Sequence, residues 1–199
     1  MHNTKCRGPF RSLMPIVLAS GSPRRKELLS SLGIDFDINP SHAEELSPTT
    51  DIAPKDYALE NARLKSFKKK NTVVISADTI VVLENQIIGK PKDEQDAIHM
   101  LGRLCGRCHQ VFTACVITKG EKTIEFISES KVWLNAQPLS IIKAYIKTKE
   151  PMDKAGSYAV QGVGAFMVEK IEGSYTNVVG LPLSNVTEVL LELEAIGIR

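Results

Sequence analysis

LASGSPRRKELL, residues 18–29, joins an apolar run to a helical pattern through a turn of small residues. Ser22 is a typical N-cap residue, and Pro23 suits the first position of a helix. The leucines that follow recur at helical spacing as far as Gly33. The stretch therefore predicts a strand, a turn and a helix that begins beside two arginines.

The remaining pattern predicts further strands and helices without strict alternation. Expected strands are 34–40, 72–83, 87–88, 110–118 and 123–134, and expected helices run from Pro54 to about Lys69, from the Asp93 cap, over 139–147 and over 184–195. A glycine-rich segment with short strands covers 153–183. Mixed order of this kind indicates an α/β fold built on a mixed twisted sheet with flanking helices.

Length and composition restrict the class of protein. The chain has 199 residues, 43% hydrophobic and 24% charged, and a net charge of +2. Such a small charge argues against nucleic acid as a partner, and no apolar run is long enough for a membrane span. Residues 1–13 are interpreted as a tail, and 14–199 as one domain.

Two cysteines form CGRCH, residues 105–109, which fits the short pattern of covalent haem attachment. No second close pair of cysteine or histidine residues completes a zinc site. We interpret the cysteines as reduced thiols of a cytoplasmic protein.

The turn before the first helix is a candidate anion site. Backbone N–H groups at a helix N-terminus attract anions, and Arg24 and Arg25 add planar donors that suit phosphate oxygens. The alternative is two solvent-exposed helix arginines.

Asp78 stands inside the apolar strand VISADTIVVL, residues 74–83. Because an unpaired buried charge is costly, this carboxylate is expected to face a cleft, bind a metal or form a structural ion pair. Together with Glu45, Lys65 and Lys90, it supplies carboxylates for a divalent metal and cations for phosphate. This set suits attack on a phosphoanhydride.

The segment DKAGSYAVQGVG, residues 153–164, combines glycines with Gln161, whose amide can donate to and accept from a base edge. No helix follows to complete a dinucleotide-binding fingerprint, and the Walker pattern is absent.

Four stretches together resemble the Maf family of nucleoside triphosphate pyrophosphatases over residues 15–193. They are LASGSPRRKELL, SADTIVVLENQIIGKP, LCGRCHQVFTA and DKAGSYAVQGVGAFMVEKIEGSYTNVVGLPL. The resemblance implies two lobes around a cleft, similar to the inosine triphosphate pyrophosphatase fold, and hydrolysis between the α and β phosphates with Mg²⁺ or Mn²⁺. It also makes His109, not the cysteines, the part of CGRCH that belongs to the family pattern. Relatives are often homodimers.

The resemblance also implies roles for individual residues. The family's proton acceptor falls on Asp78, which with Glu45 would hold the metal. Its specificity positions fall on Arg24, Thr79 and Gln161, and its phosphate-binding positions fall on Ser20, Arg25, Lys65, Lys90 and Lys154. Arg, Thr and Gln at the specificity positions resemble the branch that acts on dTTP and UTP.

Two alternatives stay open. The chain could be a nucleotide-binding regulator of septum formation without turnover, or a 7-methyl-GTP pyrophosphatase, although that branch has Trp, Gln and Glu at the specificity positions. The stretch LENARLKS, residues 59–66, departs from the dTTP/UTP branch around Asn61.

Overall fold

Strand β4 (Val73–Leu83) is the centre of the fold in the computed structural model, which describes residues 8–47 and 52–199. Ten of its eleven residues are buried, because other strands pair along its edges and helices pack on both of its faces. A near-continuous apolar strand of this kind requires burial on both sides.

The sheet around β4 is mixed, as predicted. Its order is β3-β2-β4-β6-β7-β8, and β5 also pairs with β4. The strands are β2 (Ile16–Leu18), β3 (Asp37–Ile38), β5 (Gln86–Ile88), β6 (Cys108–Lys119), β7 (Lys122–Leu134) and β8 (Val168–Gly173). The β2–β3 and β2–β4 pairs are parallel, and the other pairs are antiparallel.

Helices cover this sheet. They are α1 (Pro23–Ser30), α2 (Pro54–Leu64), α3 (Glu94–Leu104), α4 (Leu139–Lys147), α5 (Tyr175–Val179) and α6 (Leu183–Glu192). None of the helices in the described ranges has the length and apolar character needed to cross a membrane.

Two hydrophobic cores lie along one face of β4 and form the two predicted lobes. The first core contains Ile75 and Ala77 with residues of α1, α6 and strand β9 (Ile196–Ile198), and the second contains Val81 and Leu83 with residues of α3, α4 and β7. Thr79 lies between these two pairs on the same face, because alternate residues of a strand share a face. A polar residue therefore marks the boundary between the lobes.

One edge of β4 is interrupted at the same place. β2 pairs with Val73–Ile75 and β5 pairs with Val81–Leu83, both opposite the edge that β6 occupies. In the described part of the chain no strand covers residues 76–80 on that edge. Side chains from both faces of β4 can therefore reach one opening.

The structure corrects the predicted tail at three of its residues. Phe10–Ser12 form strand β1, which pairs antiparallel with β9 (Ile196–Ile198). The Ser12 hydroxyl also donates to the backbone oxygen of Asp35 over 2.8 Å. The short, partly polar β1 gives little hydrophobic periodicity, so its pairing with the far end of the chain is not visible locally. Residues 1–7 of the tail, including Cys6, and 48–51 of the polar loop lie outside the described residues.

The predicted end of helix α2 and the predicted structure of the glycine-rich segment are also wrong, and β3 (Asp37–Ile38) is shorter than the predicted strand 34–40. Helix α2 ends at Leu64 rather than near Lys69, because the chain turns at Lys65 and packs Phe67 against the sheet, where its backbone oxygen accepts from Thr118 Oγ1. The glycine-rich segment forms 3₁₀ turns at Ala155–Ser157 and Gly162–Met167 before β8 instead of several short strands.

Candidate active site

A cleft of about 900 Å³ opens at the interrupted edge of β4. All ten residues that the sequence singled out line it: Ser20, Arg24, Arg25, Glu45, Lys65, Asp78, Thr79, Lys90, Lys154 and Gln161. The structure thus brings together side chains that lie up to 141 positions apart in the chain.

Lys65 joins two carboxylates on one wall of the cleft. Its Nζ lies 2.6 Å from Asp78 Oδ1 and 2.8 Å from Glu45 Oε1. The side chain of Asp78 is 9% exposed and that of Lys65 is 15% exposed. The ion pair offsets the cost of burying the Asp78 carboxylate, because Lys65 supplies a hydrogen-bonded counter-charge.

Helix α2 positions this wall. Lys65 is its C-cap residue, so the end of the helix fixes the amine opposite Asp78. Asn61 Oδ1 accepts from the backbone N–H of Leu46 over 2.8 Å, and the Tyr57 hydroxyl donates to the backbone oxygen of Leu46 over 2.7 Å. These two bonds hold the residue next to Glu45.

Sequence reasoning missed that anchoring role. Asn61 was identified from the sequence only as a departure from the dTTP/UTP branch, and Tyr57 was not identified as a site residue at all. The available signal was a polar amide on the buried side of a helix, since buried polar groups are normally hydrogen-bonded.

Arg25 forms the opposite wall and is held at three of its nitrogens. Nε donates to the backbone oxygen of Gly180 over 2.8 Å, Nη1 to Ser20 Oγ over 3.1 Å and Nη2 to Thr79 Oγ1 over 3.0 Å. The planar guanidinium is therefore fixed in orientation, with N–H donors to spare for a ligand. Ser20 and Thr79, predicted to contact substrate, both contact Arg25.

The charges in the cleft shift pKa values. Withdrawal from water lowers the pKa of Arg25, although the negative charge of Asp78 opposes that effect. Partial burial acts to raise the pKa of Glu45, but the hydrogen bond and charge of Lys65, with the charges of Lys90 and Arg25, outweigh burial and lower it. Arginine stays cationic in either case, so the site combines the ionised carboxylate of Glu45 with the fixed cation of Arg25.

Arg24 points to a different part of the cleft from Arg25. Its Nη1 lies 3.8 Å from Asp153 Oδ2, and Lys154 Nζ lies 2.6 Å from Asp153 Oδ1. Lys154 Nζ also donates to the backbone oxygen of Glu150 over 2.5 Å. Arg24, on helix α1 of the first lobe, thus contacts Asp153 of the second lobe and shares one polar cluster with Lys154.

Gln161 directly precedes a turn, residues 162–164, that is held by Glu150 and is here named the Glu150 turn. The Glu150 carboxylate accepts from the backbone N–H groups of Val163 and Gly164 and from the Tyr145 hydroxyl, over 2.8 to 2.9 Å. Gly162 adopts a positive φ of 75° in that turn. Glu150 was not identified from the sequence, because nothing local relates a lone glutamate to a turn more than ten residues later.

His109 lies near the start of β6 and is buried, not exposed in a loop. Its Nε2 lies 2.7 Å from the hydroxyl of Tyr158, a residue that lines the cleft. Burial lowers the pKa of His109 to about 4. The histidine is therefore neutral at physiological pH.

Neither the cysteines nor the carboxylates form a preassembled metal centre in residues 8–47 and 52–199. No three His, Cys, Asp or Glu side chains converge there. Burial raises the pKa of Cys105 and of Cys108, which favours the thiol form predicted for them.

The fold and the site together define a two-lobed α/β protein with a cleft between its lobes that is lined by arginine, lysine and carboxylate side chains. The family described as Maf-like protein matches residues 15–193, and the chain belongs to that family. This result confirms the resemblance inferred from the four sequence stretches.

Individual relatives cover most of the chain. A dTTP/UTP pyrophosphatase of Thermoanaerobacter sp. (strain X514) is 48% identical over 184 residues, which cover 89% of this chain and 95% of the relative. Another, from Nitratidesulfovibrio vulgaris, is 42% identical over 196 residues, covering 95% and 92%. Among solved structures, the Staphylococcus aureus Ham1 protein matches with a TM-score of 0.53 and 16% identity over 90% of this chain and 99% of that one. This last likeness concerns the fold and confirms the predicted class.

Proposed function

We propose that the protein hydrolyses dTTP and UTP between the α and β phosphates, releasing the nucleoside monophosphate and pyrophosphate. The observation that carries the proposal is the pairing of two carboxylates on Lys65 opposite the fixed guanidinium of Arg25 in one cleft. The two relatives named dTTP/UTP pyrophosphatase support the choice of substrate.

A divalent metal fits this donor set. Mg²⁺ is commonly bound by one or two carboxylates, with substrate phosphates and water completing its ligands. Asp78 and Glu45 converge on the same amine and would supply those carboxylates. When bound, Mg²⁺ or Mn²⁺ would polarise the α-phosphate.

Asp78 is the proposed proton acceptor. Its Oδ1 is held by Lys65, and this contact fixes the carboxylate at the stretch of β4 where the edge opposite β6 has no strand partner among the described residues. An ionised, oriented carboxylate can accept a proton from a water that attacks phosphorus. Asp78 therefore orients and deprotonates the nucleophile.

The cations bind the triphosphate and stabilise the leaving pyrophosphate. Arg25 is preorganised by its three hydrogen bonds, so little reorientation is needed as negative charge develops on the leaving group. Lys65 and Lys90 line the same cleft and add positive charge. Lys154 is already hydrogen-bonded to Glu150 and Asp153, so it contributes mainly positive charge on the side of the cleft formed by the second lobe.

Arg24 and Gln161 are proposed to select the pyrimidine. Both line the cleft, and the Glu150 turn lies directly after Gln161. An amide side chain both donates and accepts hydrogen bonds, which suits a pyrimidine edge that presents N–H and carbonyl groups.

A nucleotide panel tests the proposal. Purified protein is incubated with dTTP, UTP, CTP, dATP, GTP and 7-methyl-GTP in the presence of Mn²⁺ or Mg²⁺, and pyrophosphate is measured. Release from dTTP and UTP above the other nucleotides is expected. Release only from 7-methyl-GTP would contradict the substrate choice, and tight nucleotide binding without any release would indicate a regulator instead.

A further inference from the structure

The hydroxyl of Thr79 is the second member of a chain of hydrogen bonds that leads from the cleft into the protein. Arg25 Nη2 donates to Thr79 Oγ1 over 3.0 Å. The hydroxyl oxygens of Thr79 and Thr113 lie 2.9 Å apart, and Thr113 Oγ1 donates to the backbone oxygen of Asn177 over 2.9 Å. Two hydroxyls thus connect a guanidinium to a carbonyl.

The two ends fix the direction of every bond in this chain. A guanidinium only donates and a carbonyl only accepts, whereas each hydroxyl has a single proton. Thr113 uses its proton on Asn177, so Thr79 must donate to Thr113. The lone pairs of Thr79 then face Arg25 as acceptors. The other acceptor near Thr79 is the Gly180 oxygen, which lies 3.5 Å away and already accepts from Arg25 Nε.

The inner end of the chain is rigid. Thr79 and Thr113 are direct partners in the β4–β6 register, and Thr113 is fully buried. Asn177 is also fully buried, and its Nδ2 donates to the Val111 backbone oxygen over 3.1 Å and to Ser130 Oγ over 2.9 Å. Asn177 therefore ties α5 to β6 and β7, and its carbonyl offers Thr113 a fixed acceptor.

From this geometry we infer that Thr113 is a positioning residue that acts through Thr79 to hold Arg25 toward the triphosphate. The inference rests on the proposed function for the identity of the anion. It assigns Thr79 a specific mode of action: the Thr79 hydroxyl serves the phosphate end of the substrate by orienting Arg25, and the base is read elsewhere. Buried networks of this type are worth more than single bonds, because an unpaired member in a low-dielectric interior is costly.

Inorganic tripolyphosphate is the appropriate probe, because it has the charges of the substrate without a base or a sugar. Its dissociation constant is measured by calorimetry, alongside KM and kcat for dTTP. Thr113→Val is expected to weaken tripolyphosphate binding roughly tenfold and to raise KM by a similar factor, in the range expected for loss of a buried hydrogen bond. Thr113→Ser, which keeps the hydroxyl, should restore both values to within about twofold.

Thr118→Val is the matched control. Thr118 lies on the same strand, is buried, and donates its hydroxyl to the Phe67 backbone oxygen over 3.0 Å, outside the cleft. Thr118→Val therefore loses a buried hydroxyl–carbonyl hydrogen bond, as Thr113→Val does, and it should leave tripolyphosphate binding and KM unchanged. The double variant T79V/T113V should bind no more weakly than Thr79→Val alone, because Thr113 acts through Thr79.

The outcomes separate this inference from the proposed function. Wild-type binding by Thr113→Val, failure of Thr113→Ser to restore binding, or a double variant whose loss is the product of the two single losses would overturn it. If Thr113→Val does not fold, Thr79→Val, which keeps the Thr113–Asn177 bond, must itself weaken tripolyphosphate binding, and wild-type binding would overturn the inference. Tripolyphosphate binding that responds as expected without turnover of any nucleotide would contradict the proposed function alone, and no binding by the wild-type protein would contradict both.

Discussion

Lys65 Nζ and Asp78 Oδ1 lie 2.6 Å apart, one at the end of helix α2 and the other in the middle of strand β4. The contact gives a largely buried carboxylate its counter-charge, and the same amine also contacts Glu45. Both the stability of the protein and the proposed catalysis are therefore expected to depend on Lys65.

Lys65→Met tests this dependence. The variant leaves Asp78 without its cation, and loss of one partner of a buried pair costs roughly 3 kcal/mol. We expect a loss of stability of that order and a fall in kcat for dTTP of at least about 100-fold. Urea unfolding and pyrophosphate release measure the two effects.

Lys68→Met is the control for that experiment. Lys68 lies three residues further along the chain and forms an exposed pair with Glu121. Exposed pairs contribute about 0 to 1 kcal/mol, so this variant should unfold and turn over like the wild type. Equal losses in the two variants would contradict the role given to Lys65.

His109 predicts a pH dependence of stability. Its pKa falls from 6.5 in the unfolded chain to about 4 in the folded protein because of burial. Between these pH values the unfolded state binds a proton that the folded state does not. The contribution of His109 to the free energy of unfolding is therefore fully present above pH 6.5 and is lost as the pH falls toward 4. The expected loss from His109 between pH 7 and pH 5 is about 2 kcal/mol.

Two matched variants isolate this effect. His109→Gln should remove the His109 part of the difference between the two pH values, whereas His99→Gln, at an exposed position, should keep it. Urea unfolding of each variant at both pH values provides the comparison. A pH dependence unchanged by His109→Gln would show that other groups cause it.

Arg24 and Arg25 should respond differently to the same substitution. Arg25→Lys loses the planar group that contacts Ser20, Thr79 and Gly180 together, and we expect at least a roughly tenfold weaker affinity for tripolyphosphate. Arg24→Lys alters a residue whose ion pair with Asp153 is partly exposed and 3.8 Å long. It should instead change the preference for dTTP over CTP. Equal effects of both variants on tripolyphosphate would refute this division.

A substitution at Gly162 tests the Glu150 turn. In Gly162→Ala the new Cβ would meet the Glu150 carboxylate, and its backbone φ of 75° is unfavourable for alanine. The variant should be destabilised by about 1 kcal/mol or more and should raise KM for dTTP, because Gln161 precedes the turn. Melting temperatures and steady-state kinetics measure both.

Gly102→Ala is its counterpart within helix α3. No atom lies within 4 Å of the added Cβ, so the change should stabilise the protein by about 0.5 to 1 kcal/mol and leave KM unchanged. If Gly102→Ala destabilised the protein as much as Gly162→Ala, the loss at Gly162 could not be attributed to the backbone conformation of the Glu150 turn.

The sequence was sufficient to predict elements with strong periodicity. Helix α4 was predicted with the bounds that it has, and the hairpin of β6 and β7 within two residues, because their apolar residues recur regularly and a Lys-Gly turn separates the strands. Of the ten predicted residues that line the cleft, seven were predicted from their own charged or amide groups, whereas Ser20, Thr79 and Lys154 followed only from the resemblance to the Maf family.

Long-range contacts account for what was missed. The end of α2 depends on Phe67 packing against the sheet, β1 depends on pairing with β9, and the Glu150 turn depends on backbone N–H groups of a later segment. The Thr113 chain is equally nonlocal, because it needs the β4–β6 register and the position of α5. Propensity within a short window contains no information about such partners.

Asp78→Asn tests the central claim most directly, because it removes the proposed proton acceptor while nearly preserving side-chain shape. Products from dTTP are quantified for the wild type and the variant under identical metal and pH conditions. We expect the wild type to release thymidine monophosphate and pyrophosphate in equal amounts, and we expect the variant to be slower by at least about 100-fold with an unchanged fold. Full activity of the variant, no release by the wild type, or release of thymidine diphosphate with inorganic phosphate would contradict the central claim.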